Sequence, residues 1–590
     1  MMDIVRLRGI GVSPGIGMGE VSLQRRLVFT ARKQTISAAQ ADQELERLRR
    51  AVERTRSDLV LIKEKVRESL GEDNSFIFDA HLLILKDPSL VASLEQAIRG
   101  QKVRSEWALS EANARYDQIF ESISDEYFRQ RKSDISDVLT RIYRNLEVRE
   151  ERAVSPGRQH VLVAHELLPS EAALKLSRET TLGVALDVGG QTSHTAILAR
   201  SLEIPAVLGL RNITSRVREG DFVIVDGTDG EVFINPPPAV RREFQAKKET
   251  YENYRRELRK TARLKAVTLD KVPFRPLANI ELPEEVKMAK GLGAEGVGLF
   301  RSEFIYLQRP DLPSEDDHLD VYSRIARDAA PNPVYIRTLD IGGEKNLPRL
   351  NIEKEPNPAL GLRAIRFSLK NRPLFRIQLR AILRASTRKN VRILVPMVTE
   401  VEEVVEVKSI FEEVKAELRG NKEKFDPDIP LGVMIEVPAA AALTDVFLKE
   451  VDFISIGTND LIQYFLAVDR SNEFVSYLYK PLHPGVLRLI RSVIHAGAKA
   501  GKEVAVCGEM AADPLSALIL LGFGLRTFSM NPIFIPRVKK ALRSVDAKFA
   551  ETVAEEALKL KSAQAVEEYI IEEVLVRYPR VLLTGLPSGT

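Results

Sequence analysis

Three successive rhythms of hydrophobic and polar positions run along this chain. From about Ser37 to Arg149, leucine, valine and isoleucine recur at three- and four-residue spacing with charges between them, as in ADQELERLRRAVERTRSDLVLIKEKVRESL. That spacing lays an apolar stripe along a helix. The same style over Asn74 to Gly100 and Ser105 to Leu146 predicts three or four antiparallel helices. Such a bundle is either purely structural, a dimerising coiled coil included, or a docking platform for a protein partner, and the pattern favours neither.

Between Gln159 and Asn235 the rhythm shortens. VLVAHEL, TLGVALDVGG, IPAVLGL, DFVIVDG and EVFINPP are β-branched runs separated by glycine-rich turns, with helices interleaved, which predicts a compact α/β unit. Near the start, GIGVSPGIG (Gly9 to Gly17) carries Pro14 and the wrong glycine spacing for a dinucleotide fingerprint, so it is read as strand and turn. Pro236 to Pro238 close the α/β unit. A polar helix follows from Val240 to about Leu264, roughly 37 Å long at 1.5 Å per residue.

The C-terminal half alternates strand and helix. Eight strands are predicted: Leu277–Ile280, Gly296–Arg301, Val334–Asp340, Val391–Val398, Gly432–Glu436, Phe453–Gly457, Glu503–Cys507 and Thr527–Met530. Eight such repeats point to a (β/α)₈ barrel.

Composition narrows the picture. A chain of 590 residues exceeds one core, and about three to five domains are expected. Its 87 basic and 83 acidic side chains nearly cancel, so no nucleic-acid partner is implied. MMDIVRLRGIG has no sustained apolar run, and no stretch approaches the roughly 18 apolar residues of a membrane span. Neither a signal peptide nor a membrane segment is therefore expected. A single cysteine, Cys507, leaves no intrachain disulfide and suits a reducing cytosol.

Candidate chemistry falls in two places. In GGQTSHTAILAR, Gly189 to Arg200, Thr192 or Ser193 is placed to cap a helix whose first turn carries His194. First-turn N–H groups and the helix dipole favour an anion there, so His194 is either an idle capping-region residue or a phosphoryl acceptor. The barrel decides between them, because chemistry in such barrels sits at the C-terminal strand ends. Those ends carry Arg301, then Arg337 with Asp340 and Lys345, Glu436, Asn459 with Asp460 and Arg470, and Cys507 with Glu509. Glu436 and Asp460 are hard oxygen donors suited to Mg²⁺. Arg301, Arg337 and Arg470 are fork-shaped cations suited to phosphate and carboxylate. Cys507, protonated at neutral pH by its reference value of about 8.5, has the chemistry of a general acid toward a carbanion or enolate.

With these residues in view, the chain resembles Enzyme I of the bacterial phosphotransferase system, the phosphoenolpyruvate–protein phosphotransferases. The resemblance runs from Gly9 to about Arg543. It rests on GGQTSHTAILARSLEIPAV, GAEGVGLFRSEF, RTLDIGGEK, NPALGLRAIR, IEVPAAA, FISIGTNDLIQYFLAVDR and VCGEMAADP. It implies a multidomain α/β protein: a swivelling phosphohistidine domain (1–25 and 150–236) with an inserted helical HPr-binding domain (26–149), a linker helix (237–264), a (β/α)₈ phosphoenolpyruvate-binding and dimerisation barrel (265–575) and a tail (576–590).

It further implies that His194 takes the phosphoryl group on Nε2 and passes it to HPr, the phosphocarrier protein of sugar uptake. Arg301, Arg337, Asn459, Asp460 and Arg470 would bind phosphoenolpyruvate. Glu436 and Asp460 would hold Mg²⁺, and Cys507 would protonate the enolate to give pyruvate. A cytoplasmic homodimer joined through the barrel is expected, with the α/β unit swinging on its linkers between barrel and helical domain. Two features depart from the family pattern. Lys86 in HLLILKDPSL stands where an acidic residue is expected on the HPr-facing segment, and the residues after about Ile570 extend past the usual end. A dikinase sharing these domains would need a large ATP-binding domain ahead of the histidine. Only 193 residues precede His194, and no P-loop is among them. A nitrogen-related paralogue would usually begin with a sensory domain, and a catalytically dead regulator would not need His194, Glu436, Asp460 and Cys507 intact.

Overall fold

The computed structural model describes residues 5–24, 33–70, 76–121, 126–146, 158–190, 193–307, 311–342, 355, 357–470, 472 and 474–578. The chain divides into two compact units at Asn253–Tyr254. That point falls inside the polar helix, which runs from Pro238 to Ala262, close to its expected span.

The first unit holds an eight-stranded sheet and a helical bundle. Its strands are β1 (Val5–Arg8), β2 (Ile10–Ser13), β3 (Ile16–Gln24), β4 (His160–Ala164), β5 (Thr181–Leu186), β6 (Ala206–Leu208), β7 (Phe222–Asp226) and β8 (Glu231–Ile234), in the spatial order β1-β8-β7-β3-β4-β5-β6-β2. Strand β3 joins two halves of this sheet. Ile16 to Glu20 pair antiparallel with β7, and Val21 to Gln24 pair parallel with β4. The glycines of GIGVSPGIG serve close backbone approach: a Cβ on Gly17 would lie 2.2 Å from the Leu182 carbonyl oxygen.

Alternation along the strands gives the sheet two apolar faces. Leu162, Ala164, Val184 and Leu186 pack on one side with Ala196 and Ala199. Val161, Val163, Ala185 and Val207 pack on the other with Ile213 and Val225.

The bundle contains five helices among the described residues, where three or four were expected: α1 (Ala38–Leu70), α2 (Phe76–Lys86), α3 (Pro88–Gln101), α4 (Ser105–Glu121) and α5 (Glu126–Leu146). The Asn74–Gly100 stretch is two helices because Asp87 caps the second. Its carboxylate accepts from Ser89 N at 2.8 Å, and Pro88 takes the first turn, where a missing N–H costs nothing. Leu48, Leu59, Leu94, Ile98, Leu109, Val138 and Leu139 fill the core. The bundle grips the sheet part through α6 (Pro169–Lys175), where Ser170 donates from its N–H (2.8 Å) and hydroxyl (2.6 Å) to the Asp137 carboxylate.

The second unit is a closed parallel barrel of β9 (Arg275–Ile280), β10 (Val297–Arg301), β11 (Val334–Arg337), β12 (Val391–Val395), β13 (Leu431–Ile435), β14 (Phe453–Ile456), β15 (Glu503–Val506) and β16 (Thr527–Met530). Period-two alternation sends Leu277, Leu299, Tyr335, Leu394, Met434 and Phe453 inward. It sends Ile280, Phe300, Ile336, Ile393, Val433 and Ile454 out against the helices. Five strands stop before their expected ends, so Asp340, Val398, Glu436, Gly457 and Cys507 stand just past the ladder, on the loops of one rim. The last helix runs from Ala563 to Arg577, and residues 579–590 of the tail lie outside the described residues. No helix among the described residues is long and apolar enough to cross a membrane.

Candidate functional site

In the first unit, α7 (His194–Ser201) begins at the expected histidine. Ser193 is the cap: its Oγ accepts from Ala196 N at 3.3 Å and donates to the Gly190 carbonyl at 2.9 Å. Gly189 holds φ +125°, a left-handed geometry that favours glycine, and this turns the chain from β5 toward the cap. Thr192, the alternative cap, and Lys345 lie outside the described residues, as does the side chain of His194.

In the second unit, the rim encloses a cavity of about 180 Å³. Arg301, Arg337, Glu436, Asn459, Asp460, Arg470 and Cys507 all line it, together with Asp340 and Arg363. Of the barrel residues picked out in the sequence, eight therefore reach one small space, while Glu509 stands outside its lining. Four arginines face three carboxylates there, an excess of positive charge suited to a small anion.

The side chains are held from behind. Arg301 donates to Glu281 at 2.6 Å. Arg337 is buried between Glu303 (2.5 Å) and Asp340 (3.0 Å), and these carboxylates hold its pKa above the usual arginine value despite burial. Arg363 reaches Asp340 (3.1 Å), Asp460 (3.6 Å) and the Tyr464 hydroxyl (3.0 Å). Asn459 donates to Glu509 at 3.0 Å and accepts from Glu509 N at 2.8 Å, and Arg470 lies 3.8 Å from the same carboxylate.

Glu436 accepts from Met397 N at 2.6 Å. Burial first, then repulsion from Asp460 and Asp340, pushes its carboxyl up to about 8. A Cβ on Gly457 would lie 2.7 Å from the Glu436 carboxylate, so glycine there leaves the acid its room. No group of three or more metal-ligating side chains occurs among the described residues. The pair Glu436 and Asp460 still fits a divalent cation that takes few carboxylates and leaves room for phosphate and water, because a cation relieves the repulsion that lifts Glu436.

Cys507 is buried, with Sγ 3.6 Å from the Ile456 carbonyl. Burial first, then Glu436, pushes its thiol up to about 11. The thiol is thus fully protonated at neutral pH, the state an acid catalyst needs.

The sequence reading passed over Arg363. It stands on no strand, yet Gly342 of DIGGEK marks it, because a Cβ there would lie 2.5 Å from the Arg363 Cβ. It also passed over a buried brace behind the rim. Gln378 donates to Ser302 Oγ (2.9 Å) and Tyr322 OH (3.0 Å) and accepts from Leu339 N (2.9 Å). Tyr322 in turn bonds His318 Nδ1 (3.0 Å), whose Nε2 meets Tyr306 OH (3.2 Å).

Three family models match the chain. They are the phosphoenolpyruvate-utilising enzyme N-terminal domain over residues 8–131, the mobile domain over 156–230 and the phosphoenolpyruvate-binding domain over 255–547. The chain is 42% identical over 565 residues to the phosphoenolpyruvate-protein phosphotransferase of Geobacillus stearothermophilus, covering 96% of this chain and 97% of that one. It is 42% identical to that of Bacillus subtilis over 96% of this chain and 99% of the relative, and 40% identical to that of Haemophilus influenzae over 96% and 100%. With these similarities running almost end to end and a charged cavity at the rim of a closed barrel, the chain belongs to the phosphoenolpyruvate-protein phosphotransferases, a family of transferases.

Proposed function

We propose that this chain moves the phosphoryl group of phosphoenolpyruvate to His194 and from there to HPr, releasing pyruvate. The observation that carries the reading is the convergence of Arg301, Arg337, Glu436, Asn459, Asp460, Arg470 and Cys507 on one cavity. The arginines and Asn459 bind the phosphate and carboxylate of the substrate, each charge-assisted contact contributing roughly 1.5–3 kcal/mol. Glu436 and Asp460 are the residues that would hold Mg²⁺, which when bound supplies neutralisation of phosphate charge.

In the transfer the bridging P–O bond breaks, a P–N bond forms at His194, and the enolate of pyruvate leaves. Cys507 then gives its proton to C3: an S–H bond breaks, a C–H bond forms, and the thiolate regains a proton from solvent. A phosphohistidine domain (1–25 and 150–236), an HPr-binding bundle (26–149), a cytoplasmic setting and a homodimer through the barrel complete the reading. Lys86, at the exposed end of α2, tunes the HPr-facing surface away from the acidic character expected there.

The test is incorporation of label from ³²P-phosphoenolpyruvate with Mg²⁺ into wild type and His194→Ala. Label on the wild type alone, discharged by a matched HPr, is expected. Equal labelling of both overturns the histidine assignment, and ATP acting as sole donor overturns the substrate.

A further inference from the structure

The peptide of Cys507 is held in an unusual way for a residue at a strand end. The ladder between β15 and β16 stops at Val506, which pairs with Phe528. Cys507 N still bonds the Ile456 carbonyl at 3.1 Å, but among the described residues no strand neighbour takes its carbonyl on the other side. That carbonyl instead accepts from the side-chain amide of Asn279 on β9, at 2.9 Å. Asn279 is in turn fixed by Ser529 of β16, whose hydroxyl lies 2.5 Å from Asn279 Oδ1.

The donor directions follow from chemistry. A carbonyl only accepts, so the Asn279 nitrogen faces Cys507, its oxygen faces Ser529, and the Ser529 hydroxyl donates. Space for this arrangement is set from a third strand. A Cβ on Gly298 of β10 would lie 2.2 Å from Ser529 Oγ. Ser529 is fully buried, so its hydroxyl has no solvent to turn to.

We infer that Asn279, oriented by Ser529, is a positioning residue that fixes the Cys507 peptide and thereby aims the thiol at one face of the enolate. The inference rests on the proposed role of Cys507 as proton donor. Asn279 does not line the cavity, so it acts on the direction of proton delivery and not on substrate affinity. Without the amide, the Cys507–Gly508 peptide is free to rotate past the strand end. The enolate then takes its proton from water on either face, with the same balance of bonds: one C–H formed and one O–H broken.

The test uses the full chain in stoichiometric excess, in a single turnover in D₂O with Mg²⁺ and (Z)-3-methyl-phosphoenolpyruvate. The configuration of deuterium at C3 of the 2-oxobutanoate product is read after trapping by reduction. Wild type places deuterium on one face. Asn279→Asp keeps the acceptor for Ser529 and loses the donor to Cys507. It is expected to slow ketoacid formation ten- to hundredfold and to scramble the configuration, with phosphoenolpyruvate affinity within twofold of wild type. Ser529→Ala, which touches neither Cys507 nor the cavity, should show the same scrambling to a smaller degree and serves if Asn279→Asp fails to fold. Retained rate and facial selectivity in the folded variants, alongside an impaired Cys507→Ala, overturns the clamp alone. Full, selective turnover by Cys507→Ala removes the proton-donor reading, and the clamp falls with it.

Discussion

Gln378→Leu is a demanding test of how the rim is supported. Leucine fills nearly the same volume, so the packing loss is small and the polar loss dominates. The substitution strips the acceptor from Leu339 N and the donors from Ser302 Oγ and Tyr322 OH, all in the buried brace behind the rim. Tyr322 keeps its bond to His318, so the main cost is the orphaned Leu339 N–H, about 1–3 kcal/mol, with a further ~1 kcal/mol for Ser302. A barrel-unit loss of roughly 2–4 kcal/mol is expected, lowering its melting temperature by about 3–6 °C at an unfolding entropy of about 2.1 cal/mol/K per residue.

Catalysis should suffer in a particular way. Ser302 lies next to Arg301, and Leu339 lies next to Asp340, the partner of Arg337 and Arg363. Loosening both loops should raise KM for phosphoenolpyruvate about tenfold while kcat changes little. Calorimetry is the right assay for stability, because the single tryptophan, Trp107, sits in the helical bundle and fluorescence would not follow the barrel. A melting temperature within 1 °C of wild type, or a fall in kcat at constant KM, would refute the reasoning.

Three further outcomes are expected. In metal-free protein the raised carboxyl of Glu436 means that between its usual value near 4.5 and about 8 the native state holds a proton the unfolded chain has lost. Stability of the barrel unit should therefore fall as pH rises through that window, by up to about 1.4 kcal/mol per pH unit. Calorimetry in EDTA should show this slope, and Glu436→Gln should flatten it; an equal slope in both assigns it elsewhere. Ser193→Ala removes the cap of α7 and should cost about 1 kcal/mol locally, seen as faster amide exchange across Ala196 to Ser201 and slower phosphorylation. Gly457→Ala forces a methyl to within 2.7 Å of the Glu436 carboxylate, so the apparent Mg²⁺ requirement should rise several-fold in steady-state assays with little change in secondary structure by circular dichroism.

Much of the barrel and its rim was legible because two signals coincide: β-branched runs of strand length, and charged residues where those runs stop. All eight strands stand within a few residues of their expected positions. The missed parts are those whose cause is three-dimensional. Arg363 precedes Ala364, which holds φ +51°, and Met397, whose N–H serves Glu436, holds φ +59°. Left-handed alanine and methionine cost of order 1–3 kcal/mol and persist only where surroundings impose them, so no local sequence rule finds them. Two carboxylates behind the arginines, Glu281 and Glu303, read as ordinary surface acids until the fold brings them to Arg301 and Arg337. The break at Asp87–Pro88 was readable from capping chemistry and was masked by the continuous apolar stripe on either side.

The double pairing of β3 has a consequence for synthesis. Val21 pairs with Val161, a partner that leaves the ribosome 140 residues later. At roughly 5–20 residues per second this is a wait of about 7–28 s, during which Val21 and Leu23 have no β4 to cover them. The last bundle helix ends at Leu146, so the bundle is complete about 1–3 s before Val161 is made at the same rate. It therefore folds first, as a self-contained insert that shortens the span between the waiting strand and its partner, and the sheet closes around a finished domain. A released fragment ending before His160 should thus carry a protected bundle and an exposed β3, the segment that chaperones would meet.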